Sequence, residues 1–170
     1  MRPLILSGGP AVGKSTCGRT LARERDRAAY IDADDIRQLV VAGDETLWSG
    51  PEGETQLLLA ARNVATIGRN LVDAGFDLTV ADVVTAASLP VYRAELPDCF
   101  IIHLQITLGA ARKRAATRRV YLTNDEFDLL HAMLASPPEV DLVINVEGMT
   151  FEKQLEAIRE AWARASKGAR

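Results

Sequence analysis

Cysteine and histidine are scarce in this chain, with two of each in 170 residues. Cys17, Cys99, His103 and His131 stand singly and far apart, which excludes a disulfide framework and a zinc knuckle. Both thiols are expected to be reduced and packed. No apolar run is long enough to span a bilayer, and the N-terminus lacks the basic-then-apolar layout of a signal peptide. A cytoplasmic protein with no membrane partner is therefore expected. Excess positive charge is missing too: the formal net charge is −3, which argues against a nucleic-acid or acidic-membrane surface. Repeats, low-complexity tracts and linkers are absent, so residues 1–170 read as one domain, large enough to bury a core. The 48% apolar and 25% charged fractions are those of an ordinary globular protein. Ser166 to Arg170 reads as a frayed tail. Composition leaves open whether the chain is a monomer or a homodimer.

What is present is concentrated at the start. The apolar run Pro3-Leu4-Ile5-Leu6 leads into Gly8-Gly9-Pro10-Ala11-Val12-Gly13-Lys14-Ser15 and then Thr16. This is the G-x-x-x-x-G-K-S spacing of a phosphate-binding loop. Gly8 and Gly13 let the backbone turn so that successive N–H groups face phosphate oxygens. Lys14 adds a mobile charge for the β- and γ-phosphates, and the Ser15 hydroxyl is a ligand for Mg²⁺. A helix from Lys14 onward adds the favourable end of its dipole. The pattern needs a strand before it and a helix after it, and the sequence supplies both.

Beyond the loop, apolar strands alternate with helical patterns. Strands are predicted at Ala28–Ile31, Phe76–Val80, Phe100–Ile106 and Leu142–Val146. Helices are predicted from Lys14 to about Arg25, from Asp35 to about Val41, and over Leu89–Leu96 and Leu108–Arg118. A long helix presents Leu57, Ala60, Ala61, Val64, Ile67, Gly68 and Leu71 on one face, with Gly75 as its stop. Gly43 to Gly53 reads as a loop. Thr123-Asn124-Asp125-Glu126 has the form of a capping box opening a helix to about Ala135. Thr150 caps a last helix with Phe151, Leu155, Ile158 and Trp162 inward. Such alternation predicts an α/β fold with a parallel sheet covered on both faces, and a site beyond the strands' carboxyl ends. Gly8, Asp32 and Asp34, Asp82, the basic helix and Asn145–Gly148 follow the five strands in turn.

Three groups at those ends carry chemistry. In Asp32-Ala33-Asp34-Asp35-Ile36-Arg37, a strand-end acid can face the transferable phosphate and take the proton of an attacking hydroxyl. Asp34 is the leading candidate, Asp32 the next, as base or as a partner of Mg²⁺, and Asp35 reads as a helix cap. Asp82 ends an apolar strand as a Walker B carboxylate does, and would orient a magnesium-bound water or the substrate hydroxyl. In Arg112-Lys113-Arg114-Ala115-Ala116-Thr117-Arg118-Arg119, Arg114 and Arg118 share a helix face. Their guanidinium groups suit the charge that builds on a phosphoryl group in transfer, and a lid over about residues 114–126 is expected. Arg37, Arg62 and Trp48 are further candidates for substrate contact. His103 reads as a core residue and His131 as helix surface.

On Gly8–Ser15, Asp34-Asp35-Ile36-Arg37, Asp82 and Arg114-x-x-x-Arg118, the chain resembles small P-loop kinases of the chloramphenicol phosphotransferase and zeta-toxin type, related to polynucleotide kinase. The resemblance implies a three-layer fold with five parallel strands in the order 2-3-1-4-5. It implies that Asp34 matches a catalytic aspartate, that Arg114 and Arg118 match lid arginines, and that Arg37 binds the acceptor. The expected activity is transfer of the γ-phosphate of ATP, with Mg²⁺, to a hydroxyl of a small molecule such as an antibiotic or metabolite. Alternatives are a nucleoside or nucleotide kinase, a kinase acting on a cell-wall nucleotide sugar, and a nucleotide-dependent regulatory switch. No Thr-Lys-x-Asp guanine-reading element is present to favour the switch.

Overall fold

In the computed structural model, which describes residues 1–117 and 122–168, the first strand is the most deeply buried element. β1 (Leu4–Gly8) is inaccessible along its whole length, as a central parallel strand covered on both faces must be. The other strands are β2 (Ala28–Asp32), β3 (Asp77–Ala81), β4 (Phe100–Gln105) and β5 (Leu142–Asn145). All four pairings are parallel and the order is β2-β3-β1-β4-β5. The helices are α1 (Lys14–Arg23), α2 (Ala33–Arg37), α3 (Gly50–Asp73), α4 (Leu89–Glu95), α5 (Leu108–Ala115), α6 (Asn124–Met133) and α7 (Phe151–Lys167). This is the three-layer fold expected.

Period-two alternation divides the strand residues between two cores. Leu4, Leu6, Ile102 and Leu104 pack with Leu21, Leu155, Ile158 and Trp162 beneath α1 and α7. Ile5, Leu78, Val80 and Ile101 pack with Val64, Ala65 and Tyr92 beneath α3 and α4. Each such Leu, Ile or Val contributes on the order of 1.5–3 kcal/mol when fully buried. Cys17 and Cys99 are buried free thiols within these cores. No helix among the described residues is long and apolar enough to cross a membrane.

The register fixes what meets at the carboxyl ends. Asp32 and Leu6 both lie opposite Ala81, and Gly8 lies opposite Leu104. The Asp82 N–H bonds the Leu6 carbonyl at 3.0 Å and carries the pairing one residue further.

Several local expectations need correction. The long helix begins at Gly50, because Pro51 enters its first turn, where a missing N–H is harmless and the fixed φ suits a helix. Gly50 and Gly53, read as part of a loop, therefore lie inside it. Ile67 is 38% exposed and Phe151 41% exposed, so both lie at the wet edge of their helices. Asp35 is not the cap of α2; the Asp32 side chain accepts from the Asp34 N–H in that role. The capping box at Thr123 and Glu126 is present as read, as is the Thr150 cap.

Candidate active site

The turn from β1 into α1 is tight enough that backbone must pass backbone. A Cβ at Gly8, where φ is +134°, would lie 2.3 Å from the Leu104 carbonyl oxygen, so the loop's first glycine is a steric requirement. Ala11 takes a left-handed φ of 60°. Lys14 Nζ donates to the Gly8 carbonyl at 2.7 Å and the Gly9 carbonyl at 3.0 Å, closing its own cradle. Burial pushes the Lys14 ammonium down to about 8, against the pull of Asp34, Asp82 and Asp32. An incoming triphosphate would restore its ordinary value.

Two side chains hold the loop from behind: Gln154, which belongs to no motif, and Arg114 of the basic helix. Gln154 of α7 is buried, and its amide donates to the Val12 carbonyl at 2.7 Å. Its oxygen accepts from Arg114 Nη1 at 3.1 Å. Arg114 Nη2 also reaches the Val146 carbonyl at 2.8 Å, so this arginine ties the loop to the turn after β5. Arg118 lies outside the described residues.

The acids occupy distinct posts. Asp32 accepts from the Tyr30 hydroxyl at 2.6 Å. Burial and this carboxylate raise Tyr30, against the neighbouring Ser15 and Arg19 side chains, so the phenol stays a donor. Asp34 is 76% exposed and is held at 2.6 Å by Arg37 Nη1. Asp82 is 0% exposed; Arg37 Nη2 donates to one oxygen and the Tyr92 hydroxyl to the other, both at 2.5 Å. Burial and Asp82 push Tyr92 well above its ordinary range. Asp82, expected as a metal partner, thus has both oxygens engaged by protein donors. Its geometry is that of an anchor for Arg37.

Lys14, Ser15, Asp32, Asp34, Arg37, Trp48 and Asp82 line one cavity of about 590 Å³, together with Pro10 to Gly13 and Thr16 of the loop. Among the expected residues, Gly8, Gly9 and Arg114 lie behind that lining, and Arg62 is away from it, facing Glu95 of α4 at 3.9 Å. Helical periodicity placed it on a face without saying which neighbour that face meets.

The segment before α3, unread in the sequence, forms the cavity's second wall. Gln56 pins it: its side chain accepts from the Glu45 N–H at 2.9 Å and donates to the Gly43 carbonyl at 2.8 Å. At Gly53 a Cβ would sit 2.2 Å from the Thr46 carbonyl oxygen, so the segment can fold back on the helix only over a glycine. Leu47 and Trp48 then pack against Val83, Leu130 and Leu134.

The histidines differ from their reading in one respect. His103 is buried, and that burial pushes it down to about 4 against a backbone hydrogen bond to Leu134; its Nδ1 has no partner. His131 is not surface: its Nδ1 is also buried and unpartnered, and it borders a void of about 10 Å³ with Gly9, Val12 and His103. Among the described residues no three His, Cys, Asp or Glu side chains gather as a metal site. Ser15 and Asp32 carry oxygen donors of the kind that would suit Mg²⁺ arriving with nucleotide phosphates.

No family model and no curated protein matches the sequence. Solved structures match its fold. The chain is similar to a sugar kinase from Janibacter, with 18% identity, TM-score 0.74, and 97% of this chain and 95% of that one covered. It is similar to the APS kinase of Mycobacterium tuberculosis, solved with AMPPNP and APS, at 16% identity, TM-score 0.64 and coverage of 93% and 95%. It is also similar to the shikimate kinase of Acinetobacter baumannii, solved with shikimate, at 18% identity, TM-score 0.65 and coverage of 96% and 94%. The five-stranded parallel sheet of order 2-3-1-4-5 is thus that of the P-loop kinase fold.

Proposed function

We propose that this chain is an ATP-dependent phosphotransferase that moves the γ-phosphate to a hydroxyl of a small molecule. One observation carries the reading: an exposed carboxylate, Asp34, shares a single cavity with Lys14 and Ser15 of the phosphate loop. A loop that only bound nucleotide would need no acid facing the γ-phosphate. The solved kinases of like fold, one holding a nucleotide analogue and another shikimate, support the same class of reaction. The P-loop kinase group resembled by the motifs supports it too.

The loop N–H groups of Gly9 and of Ala11 to Gly13, with the Lys14 ammonium, hold the phosphates. Mg²⁺ bound with the nucleotide would neutralise charge on the β- and γ-phosphates; Ser15 is placed to hold it, and Asp32, whose oxygens already accept from Tyr30 and the Asp34 N–H, would bind it through water. The acceptor oxygen attacks the γ-phosphorus in line, its proton passes to Asp34, and the bond to the ADP oxygen breaks as the new P–O bond forms. A positioned base of this kind supplies roughly 10²–10⁴-fold in rate. Arg37 fixes the base. Arg114 braces the loop, and Arg118, matched by motif, steadies the transferred group.

The test is acceptor-stimulated ADP release from Mg²⁺-ATP across a panel of hydroxylated antibiotics, sugars and nucleosides. Lys14→Ala is expected to abolish nucleotide binding and transfer together. Asp34→Asn is expected to keep nucleotide binding and lose about 10²-fold or more in turnover. Full turnover by Asp34→Asn would sink the base assignment. A flat response to every acceptor, with slow hydrolysis, would favour the regulatory switch.

A further inference from the structure

Gln154 and Arg114 hold the phosphate loop at Val12, but at Gly9 it meets an imidazole. A Cβ built on Gly9 would lie 3.4 Å from His131 Nδ1, so this ring of α6 packs against the second residue of the loop. That nitrogen is buried and has no hydrogen-bond partner among the described residues. His103 stands in β4, opposite Ser7 of β1, and is 1% exposed. Its Nδ1 is also buried and without a partner among the described residues, which leaves Nε2 to serve the Leu134 carbonyl. Both histidines border one void of about 10 Å³, whose other walls include Val12, Leu104 and Ile106. The end of α6 beside it is anchored, because Gln105 Nε2 donates to the Ala135 carbonyl at 3.0 Å.

A neutral imidazole has one N–H and one lone pair. With Nε2 as its donor, His103 offers the lone pair of Nδ1 to the void. Buried nitrogens in folded proteins are nearly always paired, with protein or with ordered water, and leaving one unpaired costs its full desolvation. The void has room for one water and nothing larger, and two polar partners are what a buried water needs. A metal ion asks for more ligands, and no third His, Cys, Asp or Glu gathers there among the described residues. We propose that one water, held between His103 Nδ1 and His131 Nδ1, braces the phosphate loop at Gly9, and that His131 is a positioning residue for nucleotide binding. The water donates to His103 Nδ1 and bonds His131 Nδ1 on its other side, which fixes the His131 ring. That ring in turn fixes Gly9, whose N–H is one of those facing the phosphates. The role in binding rests on the reading of the loop as a nucleotide site; the water belongs to the two imidazoles themselves.

The test has two arms. A crystal structure of the full chain that shows ordered water is expected to place one water within about 3.2 Å of both Nδ1 atoms. A node without that water, or with the two nitrogens bonded directly, overturns the proposal. The second arm is the calorimetric Kd of the non-hydrolysable ATP analogue AMPPNP with Mg²⁺. His131→Asn keeps a polar atom near the place of Nδ1, whereas His131→Leu fills similar space without one. The Asn variant is expected to stay within about twofold of the unsubstituted chain and the Leu variant to bind about tenfold more weakly, equivalent to about 1.4 kcal/mol. A lowered Tm with Kd unchanged in the Leu variant would mark a merely structural role and overturns the positioning claim, as does equal weakening by Asn and Leu. Should His131→Leu fail to fold, His131→Ala takes its place: its weaker binding is expected to recover when imidazole is added, and no recovery overturns the claim. Failure of the unsubstituted chain to bind AMPPNP overturns the positioning role together with the phosphotransferase reading. A Kd that responds to His131→Leu while no acceptor releases ADP supports the role and removes phosphate transfer alone.

Discussion

Tyr92→Phe removes one oxygen atom and leaves the packing of α4 on the sheet intact. That hydroxyl donates to Asp82 at 2.5 Å, and the carboxylate it serves is 0% exposed. Water cannot replace the lost donor without opening the core. Hydrogen bonds to charged groups contribute about 1.5–3 kcal/mol, and an orphaned buried charge adds desolvation to that. We therefore expect a loss of about 2–3 kcal/mol. For a chain of this length that corresponds to a Tm lowered by roughly 5–10 °C. Urea unfolding at pH 7 measures the change directly, with an unchanged m-value marking it as a stability effect. The same substitution in an Asp82→Asn background separates the hydroxyl from its charge. A coupling of at least about 1 kcal/mol is expected between the two sites. A single-variant loss below about 0.5 kcal/mol, the range of ordinary surface changes, would refute the claim that Tyr92 supports a buried carboxylate. Because Arg37 hangs on the same carboxylate, turnover should fall with little change in the affinity for ATP.

Two further outcomes concern protons. Lys14 titrates at about 8 when alone, and a bound triphosphate raises it again. At pH 8.5 nucleotide binding should thus take up roughly 0.7 of a proton, read as the dependence of calorimetric binding enthalpy on buffer ionisation enthalpy. Affinity should weaken as pH rises above 8, and no uptake would mean that Lys14 is not desolvated beneath the loop. His103 gives a stability limb on the acid side. The unfolded imidazole gains its proton below pH 6.5, whereas the folded one holds out to about 4. Stability should therefore fall by about 3 kcal/mol as pH drops from 6.5 to 4, and His103→Leu should flatten that limb in denaturant titrations.

How much of this was legible in the sequence follows from how locally each feature is encoded. The phosphate loop is a contiguous octet whose glycines and lysine act on their own neighbours, so the letters carry nearly the whole geometry. The capping box at Thr123 and the alternation of strands with amphipathic helices are local in the same sense. The strand order came from the resemblance of motifs, since pairing is a long-range choice that periodicity does not state. Tyr92 was invisible because its partner lies ten residues away in another element and its own pattern is that of a core aromatic. Gln154 sits 142 residues from the carbonyl it caps. Arg62 failed for the converse reason: a polar position on a helix face has no address until the neighbouring helix is placed, and that neighbour brought Glu95. The segment from Gly43 to Trp48 lacked any periodic signal because it is held by side chains of α3, above all Gln56.

The central feature of the site is how an exposed acid is kept in place. Asp34 projects from a helix of five residues, too short to be stable alone, and its carboxylate is wet. Its one side-chain partner among the described residues is Arg37, three residues on in the same helix. Arg37 bridges it to Asp82, whose position is set by a backbone hydrogen bond to Leu6 and by Tyr92 in the core. Asp82 and the phosphate loop thus take their places from adjacent strands, β3 and β1, whose register cannot slip without exposing the core. The distance from the proposed base to the phosphate loop is in effect measured along the sheet. Misplacement of a reacting group by 1 Å can cost about 10²-fold in rate. On that scale, with Asp34 as the proposed base, a buried carboxylate that touches no substrate is expected to matter to turnover nearly as much as the exposed one.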